Sequence, residues 1–284
     1  MLVTLFRLLS VLPLPVLHGI GSALGWLVYL TSPSYRRRMK DNITRAGFQR
    51  SLNAAIAEAG KNIMELPFVW CASPERVLRT AKVDNWEVVQ EAIDAGHGII
   101  FLTPHLGCFE IIPQFVATRT PVTVMYRPPK QAALKPLVEG ARAREGLSLA
   151  PATLSGVRIL LKTLRKGGNI GVLPDQVPQE GEGVWADFFG KPAYTMTLPA
   201  KLKQMSDAPI ILTYGERLPF GRGYAIKFVP FEEDLGDTPE QQARAINSGM
   251  EKLIADCPAQ YFWSYNRYKR PDDVEAPPQE GTAS

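Results

Sequence analysis

The chain has 284 residues, of which 45% are hydrophobic and 21% charged, with a formal net charge of +4. That balance allows one large domain or two small ones with a substantial core, and excludes a disordered or fibrous chain. Its three cysteines, Cys71, Cys108 and Cys257, show no CxxC spacing, which argues against a disulfide framework or a zinc site and for reduced, packed thiols.

Leu8–Leu30 carries no Lys, Arg, Asp or Glu, and a stretch of that length can cross a bilayer. Pro13 and Pro15 would break a regular helix near its start, so the continuous helix is expected from about Val16, either spanning or lying in the interface, the plainer alternative being a buried helix of a soluble core. Trp26 and Tyr29 suit the headgroup level, and the basic run Tyr35–Lys40 favours the cytoplasmic side. With only Arg7 ahead of the apolar run, a cleaved signal peptide is disfavoured. His18 is expected to be incidental. Residues 1–31 are thus expected to form a membrane anchor, 32–271 the folded domain, and 272–284 a disordered acidic tail holding Asp272, Asp273, Glu275 and Glu280.

In the body, Ser51–Trp70 has helical apolar spacing and ends in the patch Phe68-Val69-Trp70. Trp86–Ala95 reads as a short helix with Gly96 as its C-cap. Strands are expected at Gly98–Leu102, Pro121–Tyr126, Asn169–Leu173, Pro209–Tyr214 and Gly223–Val229, from short β-branched runs. Helices are expected at Phe109–Ala117, Ala132–Arg144 and Gly156–Lys166. Thr238-Pro239-Glu240-Gln241 supplies an N-cap, a proline at the first helical position and a capping-box glutamine, opening a helix to about Cys257. This alternation predicts an α/β fold with a mixed, largely parallel central sheet flanked by helices.

Chemistry concentrates after the strands. Of the three histidines, His18, His97 and His105, the last follows a buried strand in Leu102-Thr103-Pro104-His105-Leu106-Gly107-Cys108-Phe109-Glu110. Loops after strand C-termini are where open α/β sheets bind ligands. Glu110 lies five residues beyond His105, a spacing at which helical side chains point apart. The pair can meet only if His105 sits in the loop and the chain bends back. The carboxylate would then accept from one ring nitrogen, leaving the other as base toward a substrate hydroxyl. The plainer alternative is a loop histidine beside a glutamate that favours the helix dipole. Arg127 ends the next strand, where a guanidinium suits a lipid phosphate or phosphopantetheine. Asp175 and Gln176 follow the third. Cys108 has no basic partner nearby in sequence and reads as packing.

Together these residues resemble the lipid A biosynthesis acyltransferases of the lysophospholipid acyltransferase superfamily. The His-x4-acid element in "HLGCFE", the block "YRPPK" at Tyr126–Lys130, "LPDQ" at Leu173–Gln176, "FFGKPAYTMTLPAKL" at Phe188–Leu202 and "QYFWSYNRYKRP" at Gln260–Pro271 occur in that family's order. The resemblance implies an inner-membrane enzyme, its catalytic domain on the cytoplasmic side. It would move an acyl chain from acyl carrier protein to a hydroxyl of a lipid A precursor, with no metal or other cofactor. It assigns His105 as base and Glu110 as its partner. Arg127, Lys130, Arg142, Asp175, Gln176, Phe189 and Gly190 become substrate-site residues. "PDQ" favours this branch over glycerolipid acyltransferases, whose block reads like "PEGTR". Tyr265 and Asn266 stand where many relatives carry His or Arg.

Helix N-terminal amides near Gly107 are expected to supply part of an oxyanion cradle. Arg142, Arg144, Arg158, Lys162, Arg165 and Lys166 are candidates to meet the acidic carrier, although each taken alone reads as a solvated face. Phe109, Trp185, Phe188 and Phe189 could line an acyl groove or serve equally as core. The rivals are a glycerolipid or lysophospholipid acyltransferase and a non-catalytic membrane lipid-binding protein. Nucleic-acid binding has only the basic balance behind it.

Overall fold

The computed structural model describes residues 2–127, 135, 139, 140 and 144–277. Nine strands are described: β1 (Ala81–Asp84), β2 (Ile100–Leu102), β3 (Val122–Tyr126), β4 (Leu147–Pro151), β5 (Asn169–Val172), β6 (Gly183–Phe188), β7 (Lys191–Met196), β8 (Ile210–Arg217) and β9 (Tyr224–Pro230). Seven form one sheet in the order β1-β9-β8-β2-β5-β3-β4. Every pairing in it is parallel except β8 with β9. The α/β fold with a mixed, largely parallel sheet is therefore as expected.

The helices are α1 (Leu2–Ser10), α2 (Leu14–Thr31), α3 (Pro33–Arg45), α4 (Leu52–Met64), α5 (Leu66–Cys71), α6 (Pro74–Leu78), α7 (Trp86–Asp94), α8 (Ile111–Val116), α9 (Leu154–Leu164), α10 (Leu198–Gln204) and α11 (Pro239–Asp256). They cover both faces of the sheet. Along β2, Ile100 and Leu102 join a core with α9 and α11, while Ile99 and Phe101 join another with α5 and α8. Burial on both faces explains why this strand reads as an unbroken apolar run rather than an alternation. The Thr238 capping box opens α11 as expected.

Several expectations shift. Ser51–Trp70 is not one helix: it breaks at Glu65 between α4 and α5. The helix after His105 is only Ile111–Val116. β1, β4, α10 and the β6–β7 hairpin were not anticipated. β1 and β4 are short edge strands, where the periodic signal is weakest. The expected helix Ala132–Arg144, with Lys130 and Arg142, lies largely outside the described residues. Of the acidic tail, the described part reaches Pro277, and Trp185 Nε1 donates to the Glu275 carbonyl at 3.0 Å.

At the N-terminus the break falls at residues 11–13, and α2 begins at Leu14, two residues earlier than expected. Pro15 occupies the first turn, where its missing N–H costs nothing. Arg76 closes α1, its guanidinium donating to the carbonyls of Ser10 (2.7 Å), Val11 (3.1 Å) and Leu12 (3.2 Å). The positive charge offsets the unpaired carbonyls of that helix end. By length and composition α2 could cross a membrane, and it is a candidate anchor. It also docks on the domain. Gly21 and Gly25 let α2 meet α4 at Gly60 so closely that a Cβ on Gly60 would strike the Gly21 carbonyl. Gly60→Val is expected to push the helices apart and lower stability by about 1–3 kcal/mol. Thermal unfolding in detergent would measure it, and an unchanged midpoint would show that α2 does not hold this position.

Candidate active site

β2, β5 and β3 are adjacent and parallel, so their C-terminal ends open at one sheet edge. The loops there carry His105, Asp175-Gln176 and Arg127. All but Asp175 line a single cavity of about 660 Å³, within the range of small-molecule sites. Its walls are mostly apolar. Phe101, Val122, Val124 and Gly171 come from the sheet, Ile112 and Val116 from α8, and Leu154 and Val157 from α9. From Tyr126 at the edge to Val122 the cavity follows β3 through four residue steps, roughly 13 Å at the usual strand rise.

The histidine is held from both sides. Its backbone N–H donates to Asp175 Oδ2 at 2.9 Å, and Nδ1 lies 2.8 Å from Asp175 Oδ1. Burial would raise the Asp175 pKa, but the neighbouring His105 charge and hydrogen bonds prevail and hold the carboxyl below its ordinary value. An ionised Asp175 fixes the tautomer, with Nδ1 donating and Nε2 carrying the lone pair. Gln176 Nε2 then donates to His105 Nε2 at 3.1 Å. Phe109 packs edge-on at 4.8 Å between ring centroids.

The ring's carboxylate partner therefore differs from the one expected. Asp175, not Glu110, accepts from Nδ1. Glu110 is buried on the cavity wall and accepts from Trp70 Nε1 at 3.1 Å. The five-residue separation limits what the local turn can reach, whereas strand order brings Asp175 to His105 across seventy positions of sequence. The expected cradle cannot draw on the amides of Gly107 and Cys108. Gly107 N–H donates to the Gln260 carbonyl at 3.1 Å and Cys108 N–H to the Gly215 carbonyl at 2.7 Å, so both amides are already used.

What these bonds do is fix the turn that bears His105. Gly107 has φ +59°, and a Cβ there would collide with the Gly215 carbonyl, so the turn requires glycine. The His105 carbonyl accepts from Phe262 N–H at 3.1 Å. The Gly107 carbonyl accepts from Arg217 Nη2 at 2.8 Å. Arg217 in turn donates to Glu65 through Nε (2.8 Å) and Nη2 (2.7 Å), a buried two-point ion pair. Burial works against both charges, yet each is held charged by the other: the Glu65 carboxyl sits low and the Arg217 guanidinium high. Tyr224 Oη donates to Glu65 Oε2 at 3.2 Å. His18 of α2 is buried, with Nε2 3.4 Å from the same oxygen. Sequence reasoning missed this network. Its one signal, a charged residue at the break between two apolar helices, says nothing of a partner 152 positions away. Cys108 beside it is a packed thiol, pushed well up by burial and by the Glu65 charge.

Arg127 is exposed at the cavity mouth. Phe189 and Gly190 do not line the cavity. They form the β6–β7 turn with φ +48° and +67°, Phe189 N–H donates to Glu251 Oε1 at 2.8 Å, and its ring packs on Phe48 and Trp263. Phe188 is core and Trp185 lies on the hairpin, so of the four aromatics only Phe109 borders the cavity. Arg158, Lys162, Arg165 and Lys166 are exposed on α9 or just beyond it, while Arg144 is half-buried.

The profile described as "Bacterial lipid A biosynthesis acyltransferase" matches residues 1–270. A lipid A biosynthesis lauroyltransferase of Escherichia coli K12 is 24% identical over 273 residues, covering 93% of this chain and 89% of that protein. A lipid A biosynthesis acyltransferase of Haemophilus influenzae is 25% identical over 289 residues, with 95% and 90% covered. A lipid A biosynthesis palmitoleoyltransferase of E. coli K12 is 22% identical over 274 residues, with 91% and 86% covered.

Proposed function

The chain belongs to the bacterial lipid A biosynthesis acyltransferase family, and from that premise we propose that it transfers a fatty acyl group from acyl carrier protein to a hydroxyl of a lipid A precursor at the cytoplasmic face of the inner membrane. The observation that carries this reading is a histidine oriented by a buried carboxylate at the mouth of a deep apolar slot.

The acceptor hydroxyl replaces Gln176 at His105 Nε2 and gives up its proton there as its oxygen attacks the thioester carbonyl. Asp175 stabilises the imidazolium through Nδ1. The freed Gln176 amide is a donor placed for the tetrahedral oxyanion, a role in which one hydrogen bond is worth about 3–4 kcal/mol. Collapse breaks the carbon–sulfur bond, and the imidazolium proton goes to the departing thiolate. Glu110, held by Trp70, contacts the acceptor from the cavity wall, and Arg127 meets phosphate at the mouth. The basic side of α9 stands beside Leu154 and Val157 of that mouth, which suits an acidic carrier. The apolar slot takes the acyl chain.

Acyl-chain selection gives a direct check on the slot. Gly171 lies on its floor between Phe101 and Val124, and a Cβ there would meet Val124 Cγ1 at 3.0 Å. Gly171→Val should cut kcat/KM for the longest accepted acyl chain about tenfold or more relative to shorter ones, on the scale of one or two methylenes of packing. A uniform loss across chain lengths would remove the slot from chain selection. The function itself is tested with purified protein, a series of acyl carrier protein thioesters and a panel of acceptors. Transfer to a lysophospholipid but not to a lipid A precursor would overturn the acceptor assignment.

A further inference from the structure

The hairpin joining β8 to β9 ends in Pro219-Phe220-Gly221-Arg222. Phe220 is 88% exposed, more than any other large apolar residue described. Its backbone is left-handed at φ +59°, ψ +26°, a conformation that a bulky side chain seldom adopts. Arg222 Nε donates to the Pro219 carbonyl at 3.2 Å and keeps the tip folded in that form. The ring is thus held outward, although this chain has two apolar cores to receive one.

The tip does not stand alone. Gly221 packs so closely on Pro15 that a Cβ would meet the Pro15 backbone nitrogen at 2.5 Å, which seats the hairpin against the start of α2. Around that junction the surface is apolar: Leu8 is 64% exposed, Val11 68% and Val16 45%. Exposed apolar residues continue along α2 at Ile20, Leu24, Leu27 and Val28. Gly223 meets the Thr80 backbone, so exposed Arg79 and Arg222 each lie one residue from that contact. An aromatic ring flanked by guanidinium groups, continuous with an apolar helix surface, matches the chemistry of a bilayer interface with anionic headgroups.

We propose that the Phe220 tip is a second membrane contact of this protein, inserting its ring at the headgroup boundary beside α2, with Arg222 and Arg79 on anionic lipid. The domain is then held by the α2 surface and by the adjoining tip, which together set the tilt of the sheet edge above the bilayer. The inference rests on the reading that the N-terminal helices meet a membrane.

The test uses the full chain and vesicles of phosphatidylglycerol and phosphatidylcholine, with lipids brominated near the headgroup end of the acyl chain. Relative to wild type, Phe220→Trp should show additional quenching by these lipids. Phe220→Ser should weaken vesicle partitioning by about threefold or more, with acyl transfer in detergent mixed micelles unchanged. Phe220→Trp emission indifferent to vesicles, or Phe220→Ser partitioning at the wild-type level, overturns the proposal. Transfer by the wild type in micelles is scored separately, so loss of the membrane contact and loss of the acyltransferase reading give different results.

Discussion

His105→Ala is expected to lower kcat by about a hundredfold or more, since removal of a positioned base costs on the order of 10²–10⁴. The side chain lines the cavity and packs in neither core, but its Nδ1 is a partner of the buried Asp175 carboxylate, so the thermal midpoint should fall as well. Steady-state kinetics with saturating acyl donor, alongside a melting curve, separates the two effects. A variant retaining wild-type kcat would end the base assignment. The two carboxylates divide the next question. Asp175→Asn leaves an amide that can accept from Nδ1 but cannot balance an imidazolium, so its loss should appear mainly in kcat. Glu110→Gln should appear in KM for the acceptor if that carboxylate contacts the substrate. If Glu110→Gln reproduces the kcat loss of His105→Ala while Asp175→Asn does not, the assignment of the orienting acid must be reversed.

The second large effect concerns the ion pair of Glu65 and Arg217, both buried and bonded at 2.7 and 2.8 Å. Removing one partner leaves an uncompensated buried charge and should cost about 3–5 kcal/mol, a fall in the thermal midpoint on the order of 10 °C. Glu65→Gln and Arg217→Met are each expected to show it in detergent. Replacing both by apolar residues should recover much of the stability, because no charge is then stranded. Activity should not recover with it. Arg217 also donates to the Gly107 carbonyl at 2.8 Å, and without that bond the turn bearing His105 loses a fixed point. A double variant with normal kcat would make the network purely structural. The sign of the pH dependence follows from the low Glu65 carboxyl. Its stabilisation is complete above the ordinary value near ~4.3 and is lost as pH falls toward the folded value. The wild-type midpoint should therefore drop in acid more steeply than that of Glu65→Gln.

These contacts run from α2 to the turn bearing His105 through buried groups only. His18 on α2 approaches Glu65, Glu65 holds Arg217, and Arg217 holds Gly107. Docking of α2 on α4 through Gly21, Gly25 and Gly60 fixes the first of these positions. The apolar helix α2, a candidate anchor, is thus also packed into the support of the turn that carries His105.

Much of this was legible residue by residue. An unbroken apolar run at β2 and short β-branched runs at β3 and β5 marked strands, the Thr238 capping box marked α11, and the ordered blocks carried the family. Each of these signals is local, written in neighbouring side chains whose periodicity or spacing is itself the cause of the structure. His105 and Asp175 were both visible as loop residues after strands, yet their pairing was not, because it depends on β2 and β5 lying side by side in parallel. The Glu65–Arg217 pair was hidden for the same reason. The Gly21-x-x-x-Gly25 spacing in α2 was a signal for close helix packing that could have been read, but its partner Gly60 was not specified by it. Sequence alone determined five strands of the central sheet, the α11 cap, the apolar N-terminal helix and the residue types available at the site. Only the tertiary structure decided which acid meets the histidine, because hydrogen-bond partners are chosen by distances across the sheet and not by distances along the chain.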